Sequence, residues 1–330
     1  CKTALDELNK LLEKVLPEKD DTDILAQENH LRRLTFGYAG VEKYETQIEE
    51  YIHGDDSRPL LVTSEPGGGK SALLANFVNR TRAGKGIVCG CCVSHFVGVN
   101  DTSKELEYLL DGLKSQVSLR MKESGLHLDE KGWEREWRNC SLDSKLEKLV
   151  KKWTGNCKGT ETDKKIVIVI DGLNELSTDL YGSEGGMVSP HDLKWLPRSL
   201  LEGAMKGVKL ILSTLSQCEQ YWSGSCFEAL EPYSKDRILK IEPVCAKQCQ
   251  EMLKSILQKS RKQVEESFDL KNKLVQYPGQ RNPLYISTFI TEMKYFSGYG
   301  MSHGASVQLK KYVHSLEVLF YLHFSFLKFY

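Results

Sequence analysis

Leu60-Leu61-Val62-Thr63-Ser64-Glu65-Pro66-Gly67-Gly68-Gly69-Lys70-Ser71-Ala72 is an apolar run that breaks into three glycines and ends on Lys-Ser, where a helical pattern begins. The apolar run, bounded by Pro59 and the glycines, has the form of a buried strand. Gly67, Gly68 and Gly69 permit a bend whose backbone N–H groups converge inward. Such a bend cradles a phosphate chain. Lys70 then faces the β- and γ-phosphates, Ser71 offers its hydroxyl to a Mg²⁺ ion, and the following helix turns its positive end toward the same anion. Ser64 stands where the usual Gly-x-x-x-x-Gly-Lys-Ser/Thr pattern has its first glycine, so the stretch taken alone also fits a glycine-rich turn that ends in Lys-Ser.

A second stretch decides between these readings. Ile166-Val167-Ile168-Val169-Ile170 is an unbroken β-branched run, which marks a strand buried on both faces, and Asp171-Gly172-Leu173-Asn174-Glu175-Leu176 follows it. A carboxylate at the end of such a strand sits at the edge of a parallel sheet, where ligands bind in open α/β folds. Asp171 is placed to hold Mg²⁺, and Glu175 to orient or deprotonate an attacking water. An acid after a strand also serves as a plain helix cap. Phosphate loop and acidic strand end in this order are far more specific than either alone.

Around these motifs strands and helices alternate. Gly86 to Val97, Val208-Lys209-Leu210-Ile211-Leu212-Ser213-Thr214 and Arg237 to Ile241 read as strands. Phe36 to Ile52 is an aromatic entry followed by a helix, and Leu73, Leu74, Phe77 and Val78 mark the buried face of the loop's own helix. Thr102-Ser103-Lys104-Glu105 has the form of a capping box ahead of a helix through Leu106, Leu109, Leu110, Leu113 and Val117. Leu142 to Trp153 and His191 to Leu201 read as further helices. Gly125 to Cys140 reads as a surface insertion whose Trp133 and Trp137, four apart, pin a short helix to the core. The alternation predicts an α/β fold with a doubly wound parallel sheet. Beyond Pro243 only helical spacing recurs, at Cys249 to Leu257, Leu270 to Val275 and Leu284 to Met293, which predicts a small helical bundle.

The predicted organisation is therefore an N-terminal helix and charged linker over 1–35, the α/β domain over 36–243, a helical domain over 244–300 and a hydrophobic segment over 301–330. Leu5, Leu8, Leu12 and Val15 carry the N-terminal helix, and Glu18 to Asp23 the linker. The last stretch, Leu316 to Tyr330, is interrupted by Glu317, His323 and Lys328 and is too short to span a bilayer, so no transmembrane segment is expected; a helix severed from its partner and an interfacial membrane contact both fit it.

Composition bounds the partners. The 330 residues carry 45 Lys plus Arg against 45 Asp plus Glu, so no excess positive field calls for nucleic acid. Ten cysteines without a secretory h-region point to reduced thiols and a cytoplasmic location. Cys89, Cys91 and Cys92 with His95 lack a second pair at zinc spacing and fit a buried strand better than a metal site. The start on Cys1 predicts a fragment or an incomplete gene model.

The residues quoted resemble the NACHT type of signal-transduction NTPase (STAND), most closely its nephrocystin-3 and tetratricopeptide-repeat branch. The resemblance spans roughly residues 30–296 and rests on Ser-Glu-Pro-Gly-Gly-Gly-Lys-Ser at 64–71, Val-Ile-Asp-Gly-Leu-Asn-Glu-Leu at 169–176, Lys-Leu-Ile-Leu-Ser-Thr at 209–214 and Asn-Pro-Leu-Tyr-Ile at 282–286. It implies a P-loop NTPase core followed by the helical bundle, ATP and ADP with Mg²⁺ as cofactors, and a switch that ADP holds closed and ATP releases for assembly with protein partners, further copies of the chain included. By position, Lys70 and Ser71 serve phosphate and Mg²⁺, Asp171 the metal and Glu175 the catalytic water. Ser213 and Thr214 sense the γ-phosphate, and Pro283 lies against the adenine or ribose. Tyr38 to Gly40 resembles the adenine-side entry.

The departures from the family pattern weigh on hydrolysis more than on binding. Ser64 replaces a glycine, Val41 stands where an Arg is frequent, Asn174 where a second Asp is common, Leu215 where many members place an arginine, and Arg281 where a glycine precedes the proline. Lost carboxylate and guanidinium groups remove charge stabilisation at the transferring phosphoryl group but leave the loop's backbone grip. The resemblance also implies winged-helix and repeat domains, which these 330 residues do not include. The sequence thus predicts an ATP/ADP-binding switch module with slow or vestigial Mg-dependent hydrolysis, against a nucleotide-independent scaffold and, less favoured, a P-loop kinase.

Overall fold

The computed structural model describes residues 19–36, 38, 41–85, 89–157, 159–177, 193–216, 226–259, 282–284 and 286–288. The chain divides into two compact units, Cys1–Glu242 and Pro243–Tyr330. In the second unit the described residues comprise a helix over Ala246–Lys259 and the short stretches at 282–284 and 286–288. The N-terminal helix expected over 1–17, the helical stretch at 270–275 and the C-terminal segment 301–330 lie outside the described residues.

The first unit is built on five parallel strands: β1 (Leu60–Ser64), β2 (Cys91–Phe96), β3 (Ile166–Asp171), β4 (Val208–Leu215) and β5 (Ile238–Lys240), in the spatial order β2-β3-β4-β1-β5. Every residue of β1 and β3 is buried, as their unbroken apolar runs require. Alternate residues serve opposite faces. Leu61, Ile166, Ile168 and Ile170 join one core, whereas Val62, Val167, Val169 and Ile211 join the other. Helices on both faces complete the doubly wound α/β architecture. From β1 the chain crosses to β2 in one direction and later returns to β5 on the other side, which makes the C-terminal end of β1 a topological switch point.

Helix α1 (Lys19–Phe36) corrects the charged linker expected at 18–23. No glycine or proline interrupts residues 19–36, so the charge run at 19–23 is compatible with helix. α1 lies along the outer edge of β2. Its Gln27 amide donates to Phe96 O at 3.0 Å and accepts from Phe96 N at 2.9 Å. Gln116, on α4 (Leu106–Glu123), repeats the pattern at Ser94, donating to its O at 2.8 Å and accepting from its N at 3.0 Å. Two side-chain amides thus stand in for a neighbouring strand on alternate residues of an edge that would otherwise invite pairing.

Helix α2 (Glu42–His53) and helix α3 (Lys70–Arg82) flank β1 in sequence. Lys209 is the one charged residue within β4, and it is buried; its Nζ donates to Gly54 O at 2.7 Å and Asp56 O at 2.6 Å, fastening the α2–β1 connection beneath the sheet. On the opposite face, α5 (Glu130–Arg138) is pinned to the core by Trp133 and Trp137, both buried, whose indole N–H groups donate to Ser118 Oγ and Asp111 Oδ1. α6 (Leu142–Asn156) packs behind it through Leu146, Leu149, Val150 and Trp153.

Three local expectations change. The strand expected from Gly86 begins at Cys91 among the described residues. The capping box does not form. Residues Thr102–Lys104 make a 3-10 turn in which the Thr102 hydroxyl donates to Asn100 Oδ1, and α4 starts only after Glu105, with no side-chain cap. The helix expected from His191 shrinks to Arg198–Leu201, because Pro197 is its N-cap and Leu193 takes a positive φ of 58°. Among the described residues, no helix is long and apolar enough to cross a membrane.

Candidate functional site

The ends of β1, β3 and β4 meet at the C-terminal edge of the sheet. Leaving β1, the chain bends through Glu65 and Pro66, with Gly68 N donating to Glu65 O at 3.1 Å. Gly67 and Gly69 take positive φ values of 73° and 98°, a backbone that side-chain-bearing residues rarely adopt, and α3 starts at once on Lys70. Gly68 is needed for a different reason. A Cβ there would stand 2.6 Å from Ser64 Oγ and 2.8 Å from Ser64 Cβ.

Lys70 is 9% exposed, and its Nζ donates to Ser64 Oγ at 3.0 Å and reaches Ser64 O at 3.5 Å. Burial lowers its pKa, and the carboxylates of Asp171 and Glu175 work against that shift. Ser71 and Ala72 occupy the first turn of α3, both half-buried.

Asp171, the last residue of β3, is 4% exposed. It accepts a hydrogen bond from the Ser213 hydroxyl, and the nearby Ser71 hydroxyl and Lys70 ammonium both favour its charged form. Burial nonetheless pushes its pKa above the ordinary carboxylate range. Ser213, wholly buried on β4, donates to Asp171 Oδ1 and accepts from Gly172 N at 2.9 Å. Thr214, beside it, is buried in register with Thr63 of β1.

Gly172 (φ 79°) turns the chain out of β3 into a 3-10 turn over Leu173–Glu175. Glu175 retains an exposed outer surface, but its carboxylate folds against Gly98, a second glycine with a positive φ (82°). Its pKa is raised, first by desolvation and then by the charge of Asp171; Lys104 and Lys70 oppose the rise. Ser177 N donates to Lys104 O at 2.8 Å, tying this turn to the loop after β2.

The structure therefore brings together Ser64, Glu65, Pro66, Gly67, Gly68, Gly69, Lys70, Ser71, Asp171, Glu175 and Ser213, drawn from three separate segments. Pro283 lies in the second unit. Of the aromatic entry, Tyr38 and Val41 are described, the Tyr38 hydroxyl accepting from Val41 N at 3.4 Å; Gly37, Ala39 and Gly40 lie outside the described residues.

Gly98 and Lys104 escape sequence reasoning. The usable signal for Gly98 was a glycine at the C-terminal end of a parallel strand, in Phe96-Val97-Gly98. His95, grouped above with three cysteines, is buried, and its Nε2 lies 2.9 Å from Ser103 O. No cluster of three or more His, Cys, Asp or Glu suited to a metal occurs among the described residues.

The residues fit Mg²⁺ and a nucleotide phosphate chain. The glycine bend supplies inward backbone at a helix N-terminus, Lys70 a cation, and the Ser71 hydroxyl and Asp171 carboxylate hard oxygen donors.

The family model Nephrocystin 3, N-terminal, matches residues 44–213, just over half of the chain. No curated protein matches the sequence. Among solved structures, the Walker-type ATPase PABY2304 of Pyrococcus abyssi is similar at 17% identity over 86% of this chain and 75% of that one, with a TM-score of 0.48. Domain III of the Thermotoga maritima replication initiation protein DnaA is similar at 14% identity over 84% of this chain and 95% of that one, TM-score 0.46. Cdc6p from Pyrobaculum aerophilum is similar at 11% identity over 78% of this chain and 62% of that one, TM-score 0.46.

Proposed function

The chain belongs to the Nephrocystin 3, N-terminal family, and from that footing we propose that it is a NACHT-type switch module that binds ATP and ADP with Mg²⁺, hydrolyses ATP slowly, and thereby controls assembly with protein partners in the cytoplasm. One observation carries the reading: a glycine bend with positive φ at Gly67 and Gly69 starts the loop helix on buried Lys70, at the same sheet edge where β3 ends on buried Asp171, held there by the Ser213 hydroxyl.

In this reading Gly67 to Lys70 grip the phosphates through backbone N–H groups, and Lys70 adds a charge at the β- and γ-positions. Ser71 and Asp171 hold Mg²⁺, which would neutralise charge on the phosphate chain. Glu175, with its raised pKa, accepts a proton from or orients the attacking water. Ser213 holds the Asp171 carboxylate in place, and Thr214 beside it, at the end of β4, is the candidate contact for the terminal phosphate. Pro283 is proposed to close on the base or ribose. No arginine follows Ser213-Thr214, which supports slow turnover, since a guanidinium at the transferring group is a large part of phosphoryl-transfer catalysis.

Incubation with ATP and Mg²⁺, followed by gel filtration and chromatographic identification of retained nucleotide, tests the proposal. Retained adenine nucleotide with slow phosphate release that falls further in Glu175→Gln supports it. A second reading, a scaffold that uses the P-loop core without nucleotide, draws support from the Ser64–Lys70 bond, which already occupies the loop's cation; absence of retained nucleotide under all these conditions would favour it.

A further inference from the structure

Ser64 occupies the position where a phosphate loop ordinarily has glycine, and its hydroxyl is engaged on both sides. It donates to Glu65 O at 2.7 Å and accepts from Lys70 Nζ at 3.0 Å, while the side chain as a whole is 1% exposed. The contacts with Gly68 place Ser64 Cβ and Oγ inside the bend, across from the residue whose missing side chain makes room for them. Ser64 therefore links three parts of the loop: its start, its Gly68 apex and its lysine.

An ammonium group has three N–H donors and no acceptor. Each one given to Ser64 is withdrawn from any phosphate oxygen. A bond between a charged donor and a buried hydroxyl is also stronger than a neutral one, so it must be broken or stretched before Lys70 serves an anion fully. A glycine at position 64 would offer Lys70 only the backbone carbonyl, at 3.5 Å.

We propose that Ser64 is an internal competitor for Lys70, so that the hydroxyl holds the lysine against the loop and sets nucleotide affinity below that of the same loop without it. The inference rests on the nucleotide-binding reading above. It makes Ser64 a regulating residue of the phosphate site rather than a degenerate one, and it predicts that affinity rises when the side chain is trimmed.

The test compares wild type with Ser64→Ala and Ser64→Gly, using Mg-ATP and Mg-ADP titration calorimetry. In parallel, reductive methylation of Lys70 in the nucleotide-free chain is followed by mass spectrometry. The expected result is a gain of about tenfold in affinity for both nucleotides, the scale of one charge-assisted hydrogen bond, with faster methylation of Lys70. Ser64→Gly reports independently should Ser64→Ala fold poorly. Binding by wild type with unchanged affinity in the variants overturns this inference and leaves the nucleotide reading standing. Weaker binding by the variants also overturns it and makes Ser64 a ligand of the nucleotide. If none of the proteins binds nucleotide, both readings fall together.

Discussion

The Glu175 carboxylate lies over the bare Cα of Gly98, in the space that any side chain at position 98 would fill. The two residues come from loops after β2 and β3, so a glycine distant in sequence sets where the candidate base points. Gly98→Ala is expected to push Glu175 aside and lower ATP turnover at least tenfold, with nucleotide affinity held within about twofold because the Lys70 loop is untouched. The positive φ at Gly98 adds a stability loss of about 1 kcal/mol. Phosphate-release kinetics beside titration calorimetry make the comparison; wild-type turnover in the variant would separate Gly98 from catalysis.

Asp171 carries a pKa raised by burial, and the sign of its effect on stability follows. A carboxyl group whose folded pKa lies above its unfolded value contributes stability that is fully present below the unfolded pKa and lost as pH rises through the folded one. At neutral pH the raised pKa of Asp171 is thus a cost to the protein when no cation is bound. Asp171→Asn, which still accepts from Ser213, is expected to melt a few degrees above wild type at pH 7. The gap should narrow as pH falls toward the ordinary carboxylate pKa of about 4. Melting scans across pH without Mg²⁺ provide the check, and a lower melting temperature for the variant at pH 7 contradicts it.

His95 gives the opposite slope. Burial lowers its pKa from 6.5 to about 4, so below pH 6.5 the unfolded chain takes up a proton that the folded chain refuses. Stability is expected to fall as pH drops from about 6.5 to about 4, by up to about 3 kcal/mol from this residue. Denaturant midpoints of wild type and His95→Gln at pH 7 and pH 5 isolate it: the variant should lose less stability between the two pH values. Equal losses would show that His95 titrates normally.

Gln27 and Gln116 protect the β2 edge by pairing with Phe96 and Ser94. Replacing both by Leu leaves backbone donors and acceptors unpaired, each costing about 1–3 kcal/mol where they stay buried. The double variant is expected to be less stable and to form concentration-dependent aggregates. Light scattering during a thermal ramp distinguishes it from wild type, and an unchanged profile would mean the two amides are dispensable.

Much of the first unit was legible because it is written in unbroken apolar runs. Ile166–Ile170 and Val208–Leu212 announced buried parallel strands, and the glycines before Lys70 announced a bend. What stayed hidden depends on contacts between distant segments. That Ser213 donates to Asp171 arises from the pairing of β3 with β4, and that Gly98 supports Glu175 arises from the pairing of β2 with β3. Neither pairing is fixed by local sequence. The linker reading failed at residues 19–23 because a charge run was taken as solvated chain, whereas charged residues without glycine or proline are compatible with helix. The capping-box reading failed because Asn100, just upstream, competes for the hydroxyl and backbone N–H groups of the turn.

The central claim is that the loop from Ser64 to Ser71 binds a nucleotide through Lys70. The most direct measurement is titration calorimetry of the purified chain and of Lys70→Ala with ATP and ADP, with and without Mg²⁺, after removal of co-purified nucleotide and with both proteins shown to be folded. Wild type is expected to bind saturably and more tightly with Mg²⁺, and the variant to lose that binding. Equal affinities in the two proteins, or heats of dilution alone from wild type, would contradict it.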